Sequence, residues 1–251
     1  MSKTKQLQTL FEEWKKAQIE ESDDNWTITK PKGTKNIKKQ FFCEDGIIDE
    51  SVYDTEKLKV LFITNEANIE NHLEFIPANI GSRIDSFKDY YTSKKDPWDG
   101  KMCERICCLF QTIIDDYSKS PFIYARRFAF MNINKRGGDK DIGDGSHLAK
   151  YCELYSNYIL KEIEIINPDI IIWLGTKSFN MDFKDKYLNA KKNDGKYYIE
   201  INNRMIPLIG TWHTSYYRIS KSVIPLPAFN NRIIGKQATH LKEQLEWYNL
   251  L

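Results

Sequence analysis

The sequence carries little net charge and has no long hydrophobic segment. Its 251 residues include 37 lysines and arginines against 35 aspartates and glutamates, a net charge of +2. Because the chain is so close to neutral, an anionic partner would have to be bound by a local basic patch. No apolar run approaches the roughly 18 residues that a membrane span needs, and residues 1–10 lack the apolar core of a secretion signal. We expect a cytoplasmic protein with no membrane partner.

The sequence also lacks the cysteine spacing of a disulfide framework or a metal site. Its 5 cysteines are an odd number at irregular intervals, which is typical of a reducing compartment. Cys103, Cys107 and Cys108 fall on one helical segment, but no further Cys or His pair stands at ligand spacing. We therefore predict buried thiols, no metal ion and no cofactor.

Short apolar runs alternate along the chain with segments of helical periodicity. Four runs are predicted to be strands: 58–64, 128–133, 169–175 and 205–209. Four segments are predicted to be amphipathic helices: 4–19, 103–117, 147–167 and 232–250. Residues 197–201 are predicted to form a hairpin with the last strand, turned by Asn202 and Asn203. Two polar stretches are predicted to be loops: 20–40 and 134–145.

This alternation predicts an α/β fold. Strands joined by helices of this length form a mostly parallel sheet with right-handed crossovers. We expect one domain over 1–251, with a helical and basic extension at 1–57. Since ligands bind at the carboxyl ends of parallel strands, the residues that follow each strand are the candidate site.

Polar and charged side chains follow three of the predicted strands. The first strand is followed by Asn65, Glu66 and Asn68. At the end of the second stand Asn132, Lys135 and Arg136, and the fourth is followed by His213, Ser215, Tyr216, Tyr217 and Arg218. Taken singly, each has an ordinary structural explanation, such as a helix N-terminus for Glu66, a turn for Asn132 or packing for the tyrosines. Together they would line a cleft suited to a planar, hydrogen-bonding, partly anionic ligand.

In their order these motifs resemble the uracil-DNA glycosylase superfamily, nearest its iron–sulfur branch. Residues 65–69 are similar to the family's Gly-Glu-Ala-Pro-Gly loop, 132–135 to its Asn-x-x-Lys sequence and 213–218 to its His-Pro-Ser turn. The resemblance covers 58–218 and implies a three-layer α/β/α fold around a central, mostly parallel four-stranded sheet. It also implies a monomeric, monofunctional DNA glycosylase, which hydrolyses the N-glycosidic bond of a flipped-out uracil or modified pyrimidine. The partner would be single- or double-stranded DNA that contains a non-standard base.

The resemblance and the chemistry of the bond assign roles to these side chains. Glu66, with Asn65 beside it, would stabilise the cationic sugar or orient the attacking water. His213 would donate to the departing base. Base-binding residues would be Asn132, which reads one edge of the base, Asn68 and Phe75. Phe75 could instead pack in the hydrophobic core. DNA-binding residues would be Ser215, Tyr216, Tyr217, Arg218, Lys135 and Arg136, with Tyr217 as the wedge in the vacated stack.

The sequence departs from the family pattern at several positions. Asn65, Asn68 and Thr214 replace a glycine and two prolines of the motifs, and Arg136 stands where a cluster cysteine would fall. No iron–sulfur cluster is therefore expected. No tyrosine closely follows the first motif to exclude groups at C5 of the base. Two alternatives stay open: a glycosylase for bulky modified bases of phage DNA in antiviral defence, and a catalytically decayed module that binds nucleic acid or another ligand.

Overall fold

The structure is a computed structural model that describes residues 1–21, 27–30, 33–36, 42–68, 99–138, 146–175, 181–212 and 232–250. The helices are α1 (Lys3–Glu20), α2 (Glu50–Tyr53), α3 (Asp99–Ile114), α4 (Ser146–Ile166), α5 (Met181–Tyr187) and α6 (Arg232–Trp247), with a 3-10 helix at Pro121–Arg126. The strands are β1 (Thr27–Lys30), β2 (Gly33–Asn36), β3 (Gly46–Ile47), β4 (Val60–Asn68), β5 (Ala129–Gly138), β6 (Ile170–Gly175), β7 (Ala190–Asn193), β8 (Lys196–Ile201) and β9 (Arg204–Trp212).

Seven strands form one mixed sheet in the order β3-β5-β4-β6-β9-β8-β7. Within the sheet, the adjacent strands β5, β4, β6 and β9 are parallel to one another. This confirms an α/β fold with a parallel core built from the four predicted strands. The sheet is wider than four strands, because β3 extends one edge and β8 and β7 extend the other, all antiparallel. Residues 27–36, predicted to be part of a loop, contain a separate hairpin of β1 and β2.

Both faces of the parallel core are buried, which explains why its strands are nearly continuous apolar runs. In β4, Leu61 and Ile63 belong to a cluster with residues of α1 and α4, whereas Val60 and Phe62 belong to a cluster with residues of α3 and α6. Because side chains alternate along a strand, these two clusters lie on opposite faces of the sheet. Among the described residues, no helix combines the length and the hydrophobicity that crossing a membrane requires.

The hairpin of β8 and β9 confirms the turn predicted at Asn202 and Asn203. Ile201 pairs with Arg204, so the two asparagines alone form the connection. Their φ angles are 51° and 61°, in the left-handed region that asparagine tolerates better than most residues. Two successive positive φ values are typical of the type I′ turn that matches the twist of the paired strands. This turn directs β9 back into the sheet beside β6.

The predicted loop at 134–145 is wrong for residues 134–138, because β5 continues to Gly138. β4 likewise continues past its predicted end at Thr64, and Glu66 pairs with Asn134 before an irregularity that brings Asn68 opposite Gly138. Backbone hydrogen bonds between two parallel strands do not require apolar side chains, so the pairing outlasts the apolar pattern. The polar residues after both runs are therefore part of the sheet.

Candidate functional site

The described residues bring the carboxyl ends of four parallel strands, β5, β4, β6 and β9, to the same end of the sheet. Ile63 of β4 is level with Trp173 of β6, which is level with Gly210 of β9. On the other side of β4, Thr64 is level with Asn132 of β5. The residues that follow these positions are the ones that the sequence singled out as a candidate site. The sheet thus places the backbones of the first two motifs side by side.

Asn132 is held by hydrogen bonds on both sides of its carboxamide. The Thr64 hydroxyl donates to Asn132 Oδ1 at 2.6 Å, and Asn132 Nδ2 donates to Asp45 Oδ2 at 3.2 Å. The same Asp45 oxygen accepts the Asn132 backbone N–H at 2.6 Å. Asn132 has only 1% of its surface exposed, so its amide is an ordered, buried group and not the turn residue of the alternative interpretation.

Lys135 lies in the protein interior between two carboxylates. Its ammonium donates to Asp45 Oδ1 and to Glu162 Oε1, the latter at 2.9 Å. The side chains of all three residues are 0% exposed. The ammonium also lies 5.4 Å from the ring centre of Phe11 and 5.5 Å from that of Trp14. This placement satisfies the charge of Lys135 inside the fold and favours a structural role over the predicted contact with a DNA phosphate.

Asp45, Lys135 and Glu162 form a buried ionic cluster, in which burial and neighbouring charges both shift the pKa values of Glu162 and Lys135. Burial raises the pKa of Glu162, and the Asp45 carboxylate raises it further, so that the pKa lies well above its ordinary value in spite of Lys135. Burial alone would lower the pKa of Lys135, but Asp45 and Glu162 outweigh it and the pKa is raised. Because all three side chains are buried, a net charge on the group formed by Asp45, Lys135 and Glu162 would be costly.

The cluster also ties the β3 segment to the site. Asp45 directly precedes β3, which pairs with β5 through Gly46 opposite Phe130. Cys43 donates its backbone N–H to the Lys135 carbonyl oxygen at 2.7 Å. These bonds hold the Asp45 carboxylate against β5, where one oxygen faces Asn132 and the other faces Lys135.

The remaining predicted residues divide into three groups, according to whether the structure describes the side chain, the backbone alone or neither. Asn65 is partly exposed, and its side-chain oxygen is buried and accepts no hydrogen bond from the described residues. Arg136 is buried. For Glu66 and Asn68 the structure describes the backbone alone. Six predicted site residues lie outside the described residues: Phe75, His213, Ser215, Tyr216, Tyr217 and Arg218.

Three residues of this network were not predicted from the sequence: Asp45, Thr64 and Glu162. Glu162 lies between Ile159 and Ile163 on the apolar side of its helix, and a carboxylate in that position is a signal for a buried partner. Thr64 ends an apolar run, where a hydroxyl has no distinctive pattern. Asp45 comes from a short segment without periodicity, so nothing in the sequence marks it.

The cysteines provide no metal site among the described residues. All five are buried thiols, as predicted. Burial raises the pKa of Cys107 well above its usual value, and burial with the nearby Glu104 raises the pKa of Cys108 to about 12. Thiols in this state are poor metal ligands and poor nucleophiles. Within the described part of the chain, no group of three or more His, Cys, Asp or Glu side chains is placed to hold a metal ion.

No protein-family model, no curated protein and no solved structure matches this chain. The function therefore has to be inferred from the chemistry and geometry of its own residues.

Proposed function

We propose that this protein is a monofunctional DNA glycosylase that hydrolyses the N-glycosidic bond of a flipped-out uracil or modified pyrimidine. In this proposal the sheet and its two helical clusters form a three-layer α/β/α fold, and the site lies at the carboxyl ends of β4, β5 and β9. The enzyme works as a monomer on DNA in the cytoplasm. The five buried thiols support a reducing compartment.

The observation that carries the proposal is the register of the parallel core. Ile63 and Gly210 are level across β6. Glu66 is the third residue after Ile63, and His213 is the third residue after Gly210. Two strand spacings separate β4 from β9, about 10 Å. In the proposal, Glu66 and His213 act from opposite sides on one nucleoside.

The bond to be broken needs groups of these two kinds. When the C1′–N bond breaks, its electron pair leaves with the base and positive charge develops on the sugar. Glu66 stabilises that charge and orients the water that adds to C1′, as carboxylates do in glycoside hydrolysis. His213 donates a hydrogen bond to a carbonyl oxygen of the departing base, where negative charge develops. As the C1′–O bond forms, the water gives its proton to the solvent and the departing base takes one up, so a neutral free base and an abasic sugar result.

Two buried polar atoms near the carboxyl ends of the strands lack a partner among the described residues. Asn65 Oδ1 and Thr211 Oγ1 each make no hydrogen bond to the described residues. Asn65 follows Thr64 in β4, and Thr211 is level with Leu174 of β6. A buried polar atom without a partner costs about 1–3 kcal/mol. Because side chains alternate along a strand, Asn65 and Thr211 lie on opposite faces of the sheet, so a ligand on one face could supply a partner to only one of them.

A base-release assay tests the proposal. The full-length protein is incubated with oligonucleotides that contain uracil, a thymine mismatch or 5-hydroxymethylcytosine, and abasic sites are then cleaved with alkali. We expect cleavage with at least one substrate and a loss of about 100-fold or more in Glu66→Gln and His213→Ala. The control is Glu153→Gln, an exposed carboxylate on α4, which leaves the rate unchanged.

The other outcomes separate the alternatives. Release confined to 5-hydroxymethylcytosine or a similar base supports a glycosylase for modified phage DNA. Tight DNA binding without release of any base supports a decayed binding module and contradicts the catalytic proposal. An undiminished rate in either site variant removes that residue from the mechanism.

A further inference from the structure

The buried carboxylate of Asp45 determines which way the Asn132 carboxamide points. One Asp45 oxygen accepts both the backbone N–H and the side-chain N–H of Asn132, at 2.6 Å and 3.2 Å. On the other side, Asn132 Oδ1 accepts the Thr64 hydroxyl at 2.6 Å. Both Asp45 oxygens accept from N–H donors, because Lys135 donates to the other one. A flipped amide would place Oδ1 against Asp45, acceptor against acceptor, in a buried site.

The amide orientation matters because the two kinds of pyrimidine present opposite patterns. At C4 and N3, uracil and its 5-substituted relatives offer an acceptor and then a donor, whereas cytosine and its relatives offer a donor and then an acceptor. The contacts described above use one N–H and one oxygen lone pair of Asn132, and an amide has one more of each. A fixed amide can satisfy one of these two edges in a given base position and not the other.

We propose that Asp45 is a positioning residue that, with Thr64, fixes the Asn132 carboxamide and so makes the site discriminate keto from amino pyrimidines. The inference rests on the proposed function, in which Asn132 reads the edge of the base. The burial of Asn132 strengthens the discrimination, since a mismatched base would leave a buried amide group of Asn132 unpaired.

The charges around Asp45 provide a matched pair of variants. In Asp45→Asn the carboxylate that opposes ionisation of Glu162 is gone, so Glu162 can ionise and compensate Lys135. In Glu162→Gln the ion pair of Asp45 and Lys135 remains. Both clusters stay neutral overall, but only Asp45→Asn changes the group that faces Asn132. The introduced amide can both donate and accept, so it no longer excludes the flipped orientation of Asn132.

The test measures binding, so that it does not depend on catalysis. The probes are two fluorescent single-stranded oligonucleotides, identical except for one central 2′-fluorinated uridine or cytidine that resists hydrolysis. We expect the wild-type protein to bind one of the two at least about tenfold more tightly, the effect of one buried hydrogen bond. Asp45→Asn reduces the ratio to below about threefold, while Glu162→Gln keeps it.

A second pair of variants covers the case in which Asp45→Asn fails to fold. Thr64→Val removes the hydroxyl that faces Asn132 Oδ1 with little change of shape and is expected to narrow the ratio, whereas Thr64→Ser restores it. Circular dichroism establishes that each variant is folded.

Two results would overturn the inference. The first is equal binding of both probes by the wild-type protein. The second is an unchanged ratio of the two dissociation constants in folded Asp45→Asn, or in folded Thr64→Val if Asp45→Asn does not fold. The failure of the proposed function is a separate result. A wild-type protein that releases no base, yet loses its binding ratio in Asp45→Asn, is a selective binder in which Asp45 has the inferred role.

Discussion

Replacing Lys135 by methionine should destabilise the protein far more than the same change on the surface. Methionine keeps an unbranched side chain of similar length but removes the ammonium that Asp45 and Glu162 share. It can still pack against the rings of Phe11 and Trp14. The loss is therefore mainly electrostatic, with a small contribution from packing.

The magnitude follows from what the substitution leaves behind. Glu162, with its raised pKa, can remain protonated, but Asp45 would keep a buried negative charge without a counter-ion. Removing one partner of a buried ion pair costs about 3–5 kcal/mol. For a chain of this size, 1 kcal/mol shifts the melting temperature by about 2–4 °C, so we expect a decrease of about 6–20 °C.

The assays are thermal unfolding, which gives the melting temperature, and urea unfolding, which gives the free energy, both followed by circular dichroism, and the control is Lys161→Met. Lys161 pairs with Glu164 at 2.9 Å, but the Lys161 side chain is 53% exposed and that of Glu164 is 33% exposed, so the cost should stay below about 1 kcal/mol. The double variant Asp45→Asn with Lys135→Met should recover about half of the loss, because it removes the uncompensated charge. If Lys135→Met is no more destabilising than Lys161→Met, the buried cluster does not contribute as described.

Three further predictions concern the same cluster and the thiols. Because the folded-state pKa of Glu162 is raised above 4.5, its contribution to the free energy of unfolding is complete below pH 4.5 and is lost as the pH rises. Between about pH 5 and about pH 8 the wild type should therefore lose stability relative to Glu162→Gln. An equal change of the free energy of unfolding in both proteins would contradict this. Cys107 and Cys108 should react slowly with a thiol reagent in the folded protein and fast in urea, because burial raises their pKa; fast native labelling at either position would refute it. If the protein binds DNA as proposed, Lys135→Met should leave the slope of log Kd against log salt unchanged, whereas loss of a lysine that contacts phosphate lowers it by about 0.7–0.9.

The parallel core could be predicted from the sequence because its strands are buried on both faces. A run such as 58–64 must be apolar at nearly every position, whereas a half-buried strand or an amphipathic helix shows polar residues at regular intervals. The turn at Asn202 and Asn203 was predictable for a local reason, since few residues tolerate two successive positive φ values. In both cases the physical requirement lies within a few consecutive residues.

The missed features depend on residues that are far apart in the chain. The bond from Asn132 to Asp45 spans 87 positions, and that from Lys135 to Glu162 spans 27. The edge strands β3 and β7 have 2 and 4 residues, too few to show a period. Residues 134–138 look like a loop because they are polar, yet their backbones pair with β4. None of these requirements leaves a local pattern.

The spacing of Asn132 and Lys135 now has a physical explanation. Side chains three positions apart on a strand point to opposite faces of the sheet, so these two residues cannot contact the same ligand from the same face. Asp45 joins them nevertheless, because it lies beside β5 at the sheet edge and offers one oxygen to each. In this structure, the lysine of the Asn-x-x-Lys sequence stabilises the carboxylate that orients the asparagine. If Asn132 reads the base as proposed, the motif links that reading to the charge balance of the interior, and a change at Lys135 should alter base selectivity through Asp45 and not through the DNA backbone.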